Sequence, residues 1–196
     1  MRHRGVKFVL AVAAGVLALG VAVASAGRFS ISNKGIRITF NAVEFGEFAR
    51  CPVTLEGTLH QSTIPKFGGM LIGYITRATT GRCSVGSAVF LPETLPWHIR
   101  YSNFLGSLPR ISSLRWLILD VSWQVQQLLP CLYRAAPESA PGWNIELRLT
   151  AGRVEAVVLD ETLSIRSRDC PVEMALRGTG AMSVLASATA ITVTLI

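Results

Sequence analysis

The stretch CPVTLEGTLHQSTIPKFGGMLIGYITRATTGRCSVGSAVFLPETLPWHIRY, residues 51–101, decides the fold. Val53, Leu55, Gly57 and Leu59 alternate with Thr54, Glu56, Thr58 and His60, giving the one apolar and one wet face of a half-buried antiparallel strand. Pro65 cannot donate to a ladder, and Gly68 and Gly69 accept positive φ, so the chain turns there. Residues 70–77 are apolar on both faces, which predicts a central strand. A turn at 79–82 leads into Cys83, residues 85–91 rise again, and Trp97, Ile99 and Tyr101 alternate with His98, Arg100 and Ser102 in a fourth strand. The block reads as an antiparallel meander.

The same period of two runs outward in both directions. Residues 29–32 and 36–43 read as two brief strands joined at Asn33-Lys34-Gly35, with Ile36, Ile38 and Phe40 facing in. Residues 44–50 could make one helical turn. Residues 104–113 read as a loop broken by Gly106 and Pro109, with Leu105, Leu108 and Ile111 tucked under the sheet. Residues 114–126 read as one long strand, bent or bulged, with Leu117, Leu119, Val121, Trp123 and Val125 on its inner face. Residues 128–134 are extended, and 135–142 (AAPESAPG) form a surface excursion. Ile145, Leu147 and Leu149 turn at Ala151-Gly152 into a returning strand, Leu163 and Ile165 mark another, and the closing residues 190–196 are tied into a sheet.

Beyond residue 26 no segment sustains apolar spacing at three and four residues. The expected class is all-β: an antiparallel meander closing into a lipocalin-like β-barrel of about ten short strands, preceded by an N-terminal signal helix. Closure leaves no bare edges. A two-sheet β-sandwich is the alternative.

Arg2, Arg4 and Lys7 precede an apolar run over residues 8–24, and Ala24-Ser25-Ala26 offers small residues at alternate positions. That is the pattern of a signal peptide over 1–26, cleaved before Gly27, with one β domain over 27–196. An uncleaved signal anchor is the alternative, because a run of this length is near the lower limit for crossing a bilayer. Removing the leader takes three of the 19 basic residues and none of the 12 acidic ones, which lowers the formal charge from +7 to +4. The remaining bases are scattered singly, without the clustered patch that nucleic-acid binding needs.

Cys51, Cys83, Cys131 and Cys170 are an even set in a chain marked for export, which predicts two disulfides and a secreted or cell-surface location. A zinc site would usually show two close ligands, and here His60 and His98 are the other soft donors. Of three pairings, Cys51 with Cys83 and Cys131 with Cys170 is favoured. Cys51 precedes an outgoing strand and Cys83 follows a returning one, so both lie at one end of the sheet.

No nucleophile elbow, HExxH, phosphate-binding loop or dinucleotide turn is present, and no cofactor is implied. A Ser-His-Asp arrangement would have to use His60 or His98 with Asp120, Asp160 or Asp169, yet both histidines fall on wet strand faces. The acid pairs Glu44/Glu47 and Asp160/Glu161 fall at strand ends. Trp97, Trp116 and Trp123, with Trp143, would line a small apolar cavity if the barrel were hollow; otherwise they are core. The Leu-Pro steps at Leu91, Leu95, Leu108 and Leu129 would make a lipid-docking rim if they gathered at one mouth. A transmembrane barrel is disfavoured by short strands with polar outer faces.

Three motifs, CPVTLEGTLH (51–60), LIGYITRA (71–78) and LPWHIRY (95–101), resemble a functionally uncharacterised family of exported proteins of high-GC actinobacteria. The resemblance covers the middle of the chain and, more loosely, its last third. It implies secretion and a single β domain, and brings no catalytic residue with it. The expected role is non-catalytic, structural or binding a small apolar ligand or lipid at the cell envelope, with membrane contact only through the leader. The alternatives are a secreted hydrolase built on His60 or His98, and a membrane-tethered envelope protein.

Overall fold

A computed structural model describes residues 27–126, 130–134, 142–164, 170 and 173–196. The leader, the excursion over 135–141, Leu129, Ile165 and Asp169 lie outside the described residues. Among the described residues, fourteen strands, β1 to β14 along the chain, are formed. Eight close an antiparallel barrel: β2 (Gly35–Phe45), β3 (Ala49–Leu59), β5 (Leu71–Thr80), β7 (Trp97–Ser107), β8 (Arg110–Ile118), β11 (Trp143–Thr150), β12 (Arg153–Ser164) and β13 (Glu173–Val184). Closure comes where β13 pairs with β2, from Leu176 opposite Phe45 to Val184 opposite Ile36. The meander and the barrel are therefore both present. The strand number is higher than the ten expected because six short strands lie outside the wall.

Alternation is the cause. Cys51, Val53, Leu55, Gly57 and Leu59 point inward from β3, and Trp97, Ile99 and Tyr101 from β7. An eight-stranded barrel has an interior that side chains can fill, and here Ile38, Phe40, Leu55, Trp116, Ile145 and Val157 are fully enclosed. Glycine permits the bends. A Cβ on Gly57 would run into the carbonyl oxygen of Tyr74, and one on Gly180 into that of Thr39. Both positions sit at register shifts, where the strand must bend and its neighbour's backbone comes close.

Both ends of the barrel are covered. At one end, β6 (Ala88–Phe90), β9 (Ser122–Gln126) and β10 (Pro130–Arg134) form a sheet in the order β10-β9-β6. Its Phe90 and Trp123 pack on Phe45 and Trp143 of the barrel, Phe90 also meets Trp97, and Tyr133 stacks on Trp123. At the other end, β1 (Arg28–Ile31) lies between β14 (Val193–Leu195) and β4 (Thr63–Pro65). Its Phe29 packs on Tyr101 and Phe104. We call these the disulfide end and the N-terminal end.

Several local expectations are corrected. Residues 85–91 shorten to β6, which leaves the meander for the cap, so β5 pairs directly with β7. Residues 114–126 are two strands in two sheets, interrupted around Asp120 at φ 63°. The break changes parity: Leu114, Trp116 and Ile118 are buried before it, with Leu117 and Leu119 half-buried on the other side, and Val121, Trp123 and Val125 are buried after it. Asp is among the residues that tolerate this left-handed region. Residues 104–113 are not a loop, because β7 and β8 continue as a hairpin that turns at Leu108-Pro109. Leu105 and Leu108 on it are exposed, not tucked, and Ile111 is half-buried. Residues 46–48 make a tight turn between β2 and β3, and β1 pairs with β14 and β4 instead of β2.

Candidate functional site

The disulfides join Cys51 to Cys83 and Cys131 to Cys170. Both lie at the same end and act on opposite edges of its cap. Cys83 stands on the segment entering β6, which bridges to the barrel through Arg50 and Val85. Cys131 is on β10 itself, and Cys170 lies just ahead of β13. Each edge strand of the cap is thus tied covalently to the wall beneath it.

Trp97, Trp116, Trp123 and Trp143 are all fully buried. Trp97, Trp123 and Trp143 lie within one aromatic cluster with Phe90, at centroid distances of 5.3 to 6.4 Å. The Trp97 indole N–H donates to the Thr94 hydroxyl at 2.9 Å. Among the described residues, the indole nitrogens of Trp116, Trp123 and Trp143 and the Tyr133 hydroxyl have no protein partner. Burial pushes the Tyr101 and Tyr133 hydroxyls above the ordinary tyrosine range. The two described depressions lie elsewhere, on the outer wall, and neither is lined by a tryptophan. The larger, about 360 Å³, sits between Glu44, Arg50, Asp160 and Arg177, and charged pairs already occupy its walls.

The histidines meet on the outer wall through Tyr74. His60 comes from just beyond the end of β3, Tyr74 from β5 and His98 from β7, and their rings touch in a row. His60 to Tyr74 is 4.8 Å between centroids and Tyr74 to His98 is 5.1 Å. Tyr74 is opposite both Thr58 and His98 in register, which explains why only folding reveals the row. At its end, His98 Nδ1 lies 3.3 Å from Asp120 Oδ2, so one of the three candidate acids does reach a histidine. Asp160 pairs instead with Arg177, and Asp169 is outside the described residues. Among the described residues no serine, threonine or cysteine side chain is hydrogen-bonded to either histidine, and no group of three or more potential metal ligands gathers. The row offers a histidine–carboxylate contact, one edge-to-face and one tilted aromatic contact, without an aligned nucleophile.

The acid pairs separate. Glu44 faces Arg50 at 3.8 Å, and Asp160 faces outward to Arg177 at 3.4 Å. Glu161, next along β12, points the other way, and burial holds its carboxyl above the ordinary glutamate range. Hydrogen bonds from the backbone of Thr162 and Asn144 oppose that shift.

The Leu-Pro steps do not gather at one mouth. Leu91 and Leu95 flank the short 3-10 turn Pro92–Thr94 near the disulfide end, Leu108 is at the tip of the β7–β8 hairpin, and Leu129 is outside the described residues. No protein-family profile, curated protein or solved structure matches this chain.

Proposed function

We propose that the chain is an exported, non-catalytic β-barrel that works at the cell envelope through its outer surface, not through an internal cavity. The observation that carries this reading is the filling of the barrel: Trp97, Trp116 and Trp143 of its wall are fully buried, Trp123 packs on it from the cap, and a three-stranded sheet covers each end. Two disulfides suit an oxidising, extracytoplasmic compartment. Among the described residues no helix is long and apolar enough to cross a membrane. The outer wall carries ion pairs such as Arg37–Glu56, Arg115–Glu146 and Arg177–Asp160 over an apolar interior. A barrel that spans a membrane would carry an apolar band on that outer face.

The test is to screen the exported protein against generic ester, glycoside and peptide substrates, beside the double variant H60A/H98A. No turnover by either supports the reading; turnover that disappears in the variant would make the protein a hydrolase. An apolar dye that gains fluorescence in the exported protein, and is displaced by fatty acid, would restore the internal-ligand role for Trp97, Trp116 and Trp123. N-terminal sequencing of the exported form should begin at Gly27.

A further inference from the structure

Most of the large apolar side chains that the fold leaves exposed stand at one end. Phe67, Met70, Leu71, Leu105, Leu108 and Ile196, between 39% and 73% exposed, are all at the N-terminal end. Backbone contacts tie together the segments that carry several of them. Met70 O accepts from Tyr101 N at 2.9 Å and Tyr101 O from Gly69 N at 2.7 Å, which lays the β4–β5 loop along β7. Leu105 and Leu108 lie farther along β7 and at its tip. Ile196 exchanges hydrogen bonds with Arg28 at 3.0 and 3.2 Å, and Lys66 N donates to Gly27 O at 3.4 Å. Monomeric proteins rarely leave a large contiguous apolar patch without a use for it.

Positive charge outweighs negative among the described side chains at this end. Arg28, Lys34, Lys66, Arg110 and Arg153 stand at it, and none of them belongs to the six arginine–carboxylate pairs or to the His98–Asp120 contact found among the described residues. Those pairs run along the wall or at the disulfide end, where the acids are; by register, Glu155 is the one described acid close to the N-terminal end. The Lys66 ammonium lies over the Phe29 and Phe104 rings at 5.4 and 5.9 Å, a cation resting on the apolar surface. The exposed apolar group therefore shares its end of the barrel with five bases that have no ion-pair partner among the described residues.

A third observation gives the direction. The chain enters the fold at this end, through Gly27 into β1. Only Ser25, Ala26 and Gly27 separate the apolar run 8–24 from Arg28. In the alternative in which the signal stays uncleaved, three residues reach at most about 10 Å, so that anchor would bring the N-terminal end, not the disulfide end, against the lipid.

We propose that the N-terminal end is a docking surface for an anionic lipid bilayer. The tip of the β7–β8 hairpin and the β4–β5 loop insert Leu105, Leu108, Phe67 and Met70 at the headgroup boundary, and Arg28, Lys34, Lys66, Arg110 and Arg153 face the lipid phosphates. The inference deepens the envelope reading above by naming which surface acts and on what.

The experiment uses the protein as a secreting host exports it, with one environment-sensitive fluorophore placed through Leu108→Cys or, as control, Leu132→Cys on the far cap. Vesicles are phosphatidylcholine alone, or the same lipid with about 30% phosphatidylglycerol, the second giving the surface its negative charge. The expected result is a blue shift and quenching by lipid-borne quencher at position 108 in anionic vesicles only, with position 132 unchanged. Each basic residue neutralised, Lys66→Ser or Arg110→Ser, should weaken binding about fivefold, and added salt should do the same. An unshifted label at 108, equal shifts at 108 and 132, or binding indifferent to lipid charge and salt would overturn the proposal. So would a blue shift at 108 that grows with protein concentration in the absence of vesicles, which would assign the patch to self-association. These results leave substrate turnover untouched, so this failure and the failure of the non-catalytic reading are told apart.

Discussion

Removing either disulfide should loosen the cap before it unfolds the barrel. The bridges close loops with sequence separations of 32 and 39 residues. Chain-entropy arithmetic assigns about 3.7 kcal/mol to the first and about 3.9 kcal/mol to the second at 25 °C. The loops do not overlap, so the two effects should add to about 7.6 kcal/mol. A domain of ordinary stability has roughly 5–15 kcal/mol in all, and the variant without either bridge should be marginal at best. The paired substitutions C51A/C83A and C131A/C170A would be unfolded in urea and followed by tryptophan fluorescence and far-UV circular dichroism together. Trp123 stands on the cap and the other three tryptophans in or near the wall. A peeling cap should therefore redden the emission at lower urea than the loss of strand signal. If either pair costs less than about 1 kcal/mol, and the two signals still coincide, the bridges do not hold the cap and the stapling argument fails.

Gly57→Ala should cost about 2 kcal/mol or more, because the new Cβ meets the Tyr74 carbonyl across the bend, whereas Gly27→Ala, with open space around it, should be neutral; urea midpoints compare the two. Asp120→Val should lose about 1–2 kcal/mol from its left-handed backbone, and Asp120→Asn much less, since both remove the carboxylate that faces His98 but only valine opposes the conformation; equal losses would show that the carboxylate matters and the backbone does not. Burial raises the folded-state pKa of Glu161 above its unfolded value near 4.5, so the folded chain holds that proton more tightly. Stability should fall as pH rises from about 4.5 through the raised value, then level off. Glu161→Gln should be more stable than the parent at pH 7 and no different below pH 4.5, as read by thermal unfolding at both pH values.

The all-β class was already written in the chain. Apolar and polar residues alternate from Val53 to Leu59 and from Trp97 to Tyr101 because each strand needs one face for the core, and that requirement is local. The cysteine pairing was also legible, because counting outgoing and returning strands places Cys51 and Cys83 at one end. Reading failed where parity depends on a partner sheet. Leu117 and Leu119 look as apolar as Trp116 and Ile118, and nothing nearby announces that Asp120 moves the chain from wall to cap. Gly106 and Pro109 signal a break, yet β7 and β8 support each other and carry their pairing to the tip. The His60–Tyr74–His98 row, and the gathering of Phe67, Leu108, Ile196 and unpaired bases around Arg28, were out of reach of the sequence. They join segments far apart in the chain, and only closing the barrel and covering its ends sets which of them become neighbours.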